Sequence, residues 1–199
     1  MCGIVGFYDS HGKGHIASAV AAEALQTLRR RGPDDRGEFH APGVFLGHTR
    51  LAVIAPGAGR QPFHDPDTGA VMVYNGELYN YRECRAELQR AGCVCTTQSD
   101  TEVVLKALLT WGPAALERFN GMFALALYHP DTHRLLLARD RVGIKPLFYA
   151  ADGQRLFFAS SCKALLTFPD ISPTLDPAGL SHYLTTIRTS LGDRTLYRD

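Results

Sequence analysis

Met1-Cys2-Gly3-Ile4-Val5-Gly6 begins the chain, and its apolar run, continued by Phe7, predicts a buried strand with glycines where other backbone comes close. The strand would hold whatever precedes it still. Cys2 has a small side chain, which permits removal of Met1. Cys2 would then carry an α-amine, with a reference pKa of about 7.7–8.0, next to its own thiol at about 8.5. Such a residue holds a nucleophile and its base together, with proton transfer direct or through one water. Taken alone, the dipeptide reads more readily as a small buried cysteine with no chemistry. The rest of the chain has to decide.

With 199 residues, 45% hydrophobic, 21% charged and a net charge of +1, the composition is that of one substantial globular domain. It carries no basic or acidic excess to favour nucleic acid or a membrane surface as partner. Arg29, Arg30 and Arg31 end a helical run and read as a solvated last turn. No apolar run approaches the roughly 20 residues of a membrane span, and no signal-peptide pattern opens the chain. The five cysteines at 2, 84, 93, 95 and 162 are an odd number and fit a reducing cytoplasm.

Along the chain, residues 16–30 show apolar positions at helical spacing up to Gly32-Pro33. Arg31-Gly32-Pro33-Asp34 is a turn with a charge at each end. Residues 43–54 read as a strand or bent strand pair, 56–67 as loop, and Val71–Tyr74 as a short buried strand leading into Asn75-Gly76-Glu77. Residues 81–90 are helical, 93–97 a short strand, and a helix capped by Ser99 or Asp100 runs to Trp111. Hairpins are predicted over 122–139 and 147–160, and shorter helices over 161–167 and 177–185. Continuous apolar strands framed by amphipathic helices imply an α+β layered sandwich.

Amide hydrolysis by Cys2 would need donors where charge develops on the carbonyl oxygen. Asn75-Gly76 offers a carboxamide N–H beside an unhindered backbone N–H, although the same dipeptide is a common hairpin turn. Arg50, among Leu51, Val53 and Ile54, is a cation on a strand otherwise buried; it suits a substrate carboxylate or an internal ion pair. Glu77 and Asp100, each just after a strand, suit an ammonium or simple capping roles.

Met1–Gly6, Arg31-Gly32-Pro33-Asp34, Gly47-His48-Thr49-Arg50-Leu51, Tyr74-Asn75-Gly76-Glu77-Leu78-Tyr79-Asn80, Ser99-Asp100-Thr101-Glu102, Gly121-Met122-Phe123-Ala124 and Asp140–Leu147 together resemble the class II glutamine amidotransferase family. Within it they are most similar to the N-terminal glutaminase domain of glutamine-hydrolysing asparagine synthetases. The resemblance covers residues 2–185, leaving 186–199 as the start of a connection toward an absent synthetase domain. It implies the N-terminal-nucleophile hydrolase fold, a four-layer αββα sandwich of two antiparallel sheets. It also implies L-glutamine as substrate and a glutamyl thioester on Cys2. Asn75 and Gly76 would form the oxyanion hole, with Arg50 on the α-carboxylate and Glu77 and Asp100 on the α-ammonium. The backbone of Leu51, Val53 and Ile54 would line the site. ATP and Mg²⁺ are implied only for the synthetase half, a domain or separate subunit, and no cofactor or metal for this chain. Ser160-Ser161-Cys162-Lys163-Ala164-Leu165 departs from the family's usual pattern, with Ser161 in place of a glutamate.

Cys84 and Cys93-Val94-Cys95 lack the second Cys/His pair of a standard metal site. Gly12-Lys13-Gly14 lacks the spacing of a phosphate loop, and His48 reads as a core histidine. Three readings stay open: a glutaminase feeding an asparagine-forming synthetase, the same chemistry for a peptide, sugar or secondary-metabolite acceptor, and a non-catalytic regulatory module that keeps Met1. A homo-oligomer is compatible with all three.

Overall fold

The computed structural model describes residues 1–52, 60–189, 192 and 194–198. Among these residues the strands are β1 (Gly3–Asp9), β2 (Asp35–Ala41), β3 (Val44–Arg50), β4 (Phe63–His64), β5 (Val71–Leu78), β6 (Gly121–His129), β7 (Arg134–Arg139), β8 (Phe148–Ala151) and β9 (Arg155–Ala159). The helices are α1 (Ser18–Leu28), α2 (Tyr81–Arg90), α3 (Asp100–Trp111), α4 (Ala115–Arg118), α5 (Cys162–Leu165) and α6 (Pro177–Thr186). The strands form two antiparallel sheets, ordered β2-β3-β1-β9-β8 and β4-β5-β6-β7. No helix among the described residues is long and apolar enough to cross a membrane.

Side-chain alternation along β1 and β5 builds the layers. In β1, Val5 and Phe7 turn to α1 and pack with Leu25 and Leu28. Ile4 turns the other way, into a second cluster with Val71 and Val73 of β5. Met72 and Tyr74, the alternate residues of β5, pack with Leu88 of α2 and Val104 and Leu105 of α3. The result is helix, sheet, sheet, helix: the αββα sandwich. By the same alternation Cys2 belongs on the inter-sheet face with Ile4, and Asn75 belongs on that face with Val73. Two positions far apart in sequence therefore share one interior.

Several expectations need correcting. Residues 93–97 form no strand, because the Thr96 and Thr97 amides are bonded to the Glu102 carboxylate instead of to a neighbouring strand. β5 does not stop at Tyr74 but runs through Asn75-Gly76 to Leu78, held in register by β6, with Asn75 opposite Ala124; the dipeptide is no hairpin turn. β2 went unread because its exposure alternates over polar residues. β4, with two residues, lies inside the stretch read as loop. Apart from these corrections, residues 194–198 hydrogen-bond to the segment before α6, through Asp176 N to Leu196 O at 2.9 Å and Arg198 N to Thr174 O at 3.1 Å.

Candidate active site

A cavity of about 280 Å³ is lined by residues of both sheets and of α3, with Cys2, Arg50, Asn75, Gly76, Glu77 and Asp100 among them. Every predicted site residue that is described meets there, Leu51 included. Val53 and Ile54 lie outside the described residues.

β1 and β3 deliver the first two groups. Gly3 pairs with Thr49, so one step further Cys2 stands opposite Arg50 on the inter-sheet face. Arg50 is 8% exposed. The Leu51 N–H points at the Cys2 sulfur at 3.4 Å, a backbone donor of the kind that favours negative charge on a thiol. The thiol faces the Leu51 carbonyl at 3.8 Å.

Arg31-Gly32-Pro33-Asp34 fixes this corner, and here the sequence reading missed a role. Arg31 is no solvated end of a helix; its Nε donates to the Cys2 carbonyl at 3.1 Å, and burial lowers its pKa from the ordinary arginine value. Asp34 accepts from Ala52 N at 2.8 Å. Between them a Cβ on Gly32 would collide with the Thr49–Arg50 backbone, so only glycine lets the turn cross so closely. Ser160 exchanges two bonds with Ile4, at 3.0 and 2.8 Å, and ties β9 to the start of β1. Ser161 next to it is the N-terminal flanking residue of α5 and makes no side-chain cap bond there.

β5 supplies the donors. Asn75 is 1% exposed, and among the described residues its Nδ2 has no hydrogen-bond partner. A buried donor left unpaired is destabilising by about 1–3 kcal/mol, a cost that an acceptor reaching Nδ2 from the cavity would relieve. Phe123 lies opposite Gly76 and directs both its N–H and its C=O to Asp140. Gly76 and Phe123 are therefore a non-hydrogen-bonded pair, and the Gly76 N–H points to the opposite, open edge of β5. On that edge the Tyr74 N–H is taken by Gln61 Oε1 at 2.6 Å and the Leu78 N–H by Asp100 Oδ2 at 3.0 Å. The Gly76 N–H lies between these two, facing the cavity.

Asp100 also accepts from the Tyr74 hydroxyl at 3.2 Å. Burial, then the Asp100 charge, pushes the Tyr74 phenol well above its ordinary value, so it stays a donor. Asp100 is held by the start of α3: Ser99 Oγ accepts from Glu102 N at 3.2 Å, and Arg85 grips the Thr97 and Ser99 carbonyls at 2.7 and 3.3 Å. The Glu102 carboxylate accepts the amides and hydroxyls of Thr96 and Thr97. Burial opposes its ionisation, but these four bonds prevail and its pKa falls below the ordinary glutamate value. The sign of the pH effect follows. A carboxyl depressed in the folded state contributes fully above the unfolded value of about 4.3 and loses that contribution as pH falls through the folded one. Glu102→Gln should therefore lower the thermal midpoint most near pH 7, with the gap to wild type closing toward pH 3 in thermal melts. A gap that stays constant contradicts this.

His48 and Lys145 complete the surroundings. His48 is 1% exposed, and burial pushes its pKa down to about 4, so it is neutral at pH 7. Its Nε2 lies 3.2 Å from the Tyr74 carbonyl, which can only accept; Nε2 therefore carries the proton. Asp140 accepts from the Ile144 and Lys145 amides at 2.8 and 3.0 Å, and Arg139 donates to the Lys145 carbonyl at 2.6 Å, bringing Lys145 to the cavity wall. Among the described residues no cluster of three or more His, Cys, Asp or Glu could hold a metal, and all five cysteines are free.

Among solved structures, the chain superposes on glutamine phosphoribosylpyrophosphate amidotransferase from B. subtilis with a TM-score of 0.67 at 20% identity, covering 83% of this chain and 43% of that one. The sandwich is therefore the N-terminal-nucleophile hydrolase fold as glutamine amidotransferases carry it. A family model described as a glutamine amidotransferase domain matches residues 1–199, and the chain belongs to that family. Asparagine synthetase [glutamine-hydrolyzing] 3 of Bacillus subtilis is 39% identical over 184 residues, 91% of this chain and 30% of that protein. Asparagine synthetase B of Escherichia coli is 36% identical over 83% of this chain and 30% of its own length. Amidase chry2 of Gibberella zeae is 34% identical over 84% and 27%. The chain spans about 30% of the length of the asparagine synthetases it matches.

Proposed function

We propose that the chain hydrolyses the side-chain amide of L-glutamine at Cys2 and passes the ammonia to an ATP-dependent synthetase. The observation that carries this reading is the pairing of a buried Asn75 Nδ2, without a partner among the described residues, with the Gly76 N–H in the cavity that Cys2 lines. With Met1 removed, the Cys2 amine takes the thiol proton as sulfur attacks the amide carbon. The Asn75 Nδ2 and Gly76 N–H receive the negative oxygen of the tetrahedral intermediate. The amine returns its proton to the departing nitrogen, ammonia leaves, and a thioester remains. Water, deprotonated by the same amine, attacks the thioester and releases glutamate. Arg50 binds the α-carboxylate; Glu77 and Asp100 bind the α-ammonium.

Asparagine formation as the destination is supported by the asparagine synthetase relatives. ATP and Mg²⁺ then belong to the synthetase half, and a cytoplasmic setting fits five free cysteines. The fungal amidase relative favours a second reading, the same hydrolysis with a different acceptor. The test is ammonia release from glutamine by the chain with Cys2 leading, alone and then with a synthetase half supplied with aspartate and ATP. No release in either case refutes the glutaminase. Release without asparagine favours the second reading. Arg50→Ala should act on glutamine binding: losing one partner of a buried charge pair costs about 2–5 kcal/mol, a rise in KM of roughly 30-fold or more. An unchanged KM removes Arg50 from the carboxylate.

A further inference from the structure

We propose that Gln61 is a positioning residue for amide hydrolysis, fixing the two donors on β5 before substrate arrives; this rests on the oxyanion reading of Asn75 and Gly76. The register carries the argument. Phe63 of β4 pairs with Met72 of β5, so two residues earlier Gln61 stands opposite Tyr74. A regular strand would bond Tyr74 there with backbone. Gln61 instead turns its own carbonyl toward Gly37 of β2, so close that a Cβ on Gly37 would overlap it. Its side-chain amide takes over the ladder: Oε1 accepts from Tyr74 N at 2.6 Å and Nε2 donates to Tyr74 O at 3.0 Å. One carboxamide thus supplies both the donor and the acceptor of a missing strand residue.

A second donor reaches the same oxygen. His48 Nε2 of β3 lies 3.2 Å from Tyr74 O, so that carbonyl is fixed from both sheets at once. The Tyr74–Asn75 peptide is thereby locked in plane, which sets the direction of the Asn75 side chain and of the next N–H on that edge, that of Gly76. Asp100 closes the edge beyond it at Leu78. Preorganised donors are effective because they need not reorient during reaction, and a misplacement of about 1 Å can reduce a rate about 100-fold.

The experiment is a double-mutant cycle on glutamine hydrolysis by the chain with Cys2 leading, reading kcat and KM at pH 7.5. Gln61→Ala should lower kcat about 10- to 100-fold with KM within about twofold. In an Asn75→Ala background the same change should cost clearly less than in wild type, because only the Gly76 N–H is then left for Gln61 to position and residues acting as a unit are not additive. Gln61→Glu, equal in size, should lose kcat as severely, since a carboxylate has no proton to give the Tyr74 carbonyl. A role in filling space alone predicts wild-type kcat for Gln61→Glu, and that result overturns the proposal. A full loss added on top of Asn75→Ala overturns it too while leaving the oxyanion reading standing. Wild-type kcat in Asn75→Ala overturns both.

Discussion

Cys2→Ala should abolish ammonia release from glutamine, with a fall of at least about 10⁴-fold in kcat, the scale on which loss of a covalent nucleophile is felt. The change should leave the fold intact. Cys2 precedes the first ladder pair of β1, at Gly3, and it belongs to none of the three apolar clusters of the core. Far-ultraviolet circular dichroism and the thermal midpoint should match wild type, while a sensitive ammonia assay reads background. Turnover near the wild-type rate would show that the sulfur lining this cavity is a bystander and would return the chain to the non-catalytic reading.

Asn75→Ala should lower kcat about 10²–10³-fold, the usual effect of deleting one oxyanion-hole donor, with a much smaller change in KM. Stability should behave differently from activity. The Nδ2 atom is buried and has no partner among the described residues, so its removal ends a desolvation penalty that is only compensated in the reacting state. The thermal midpoint should hold within a few degrees of wild type even as activity collapses. A kcat within threefold of wild type would remove Asn75 from the chemistry.

The residues that line the cavity were legible in the sequence because their types are conspicuous in context. A cysteine follows Met1, an arginine stands in an apolar strand, and an Asn-Gly pair leads into an acid; all three meet at one cavity. The helices α2 and α3 were legible from periodicity and from the cap at Ser99. What escaped reading depends on pairing between distant segments. β2 is largely polar and gains strand geometry only from its ladder with β3. Residues 93–97 look strand-forming, but the Glu102 carboxylate outcompetes any ladder for their amides. Gln61 stands in a stretch rich in glycine and proline, and nothing local distinguishes its carboxamide from a solvated one. Its importance appears only when β4 is placed beside β5. Arg31 was hidden by its neighbours: of the three consecutive arginines, Arg29 and Arg30 are exposed, and only Arg31 reaches back to Cys2.

The alternation that aims Ile4 inward and Val5 toward α1 also constrains how such a chain can change length. Deleting or inserting a single residue within Gly3–Asp9 would swap the two faces of β1 and swing the Cys2 sulfur to the side of its sheet away from the cavity. Related sequences should therefore tolerate gaps freely at turns such as Asp152-Gly153, yet show an ungapped interval between the leading cysteine and the end of its strand. Unequal spacing there would be a signature of lost activity visible before any assay.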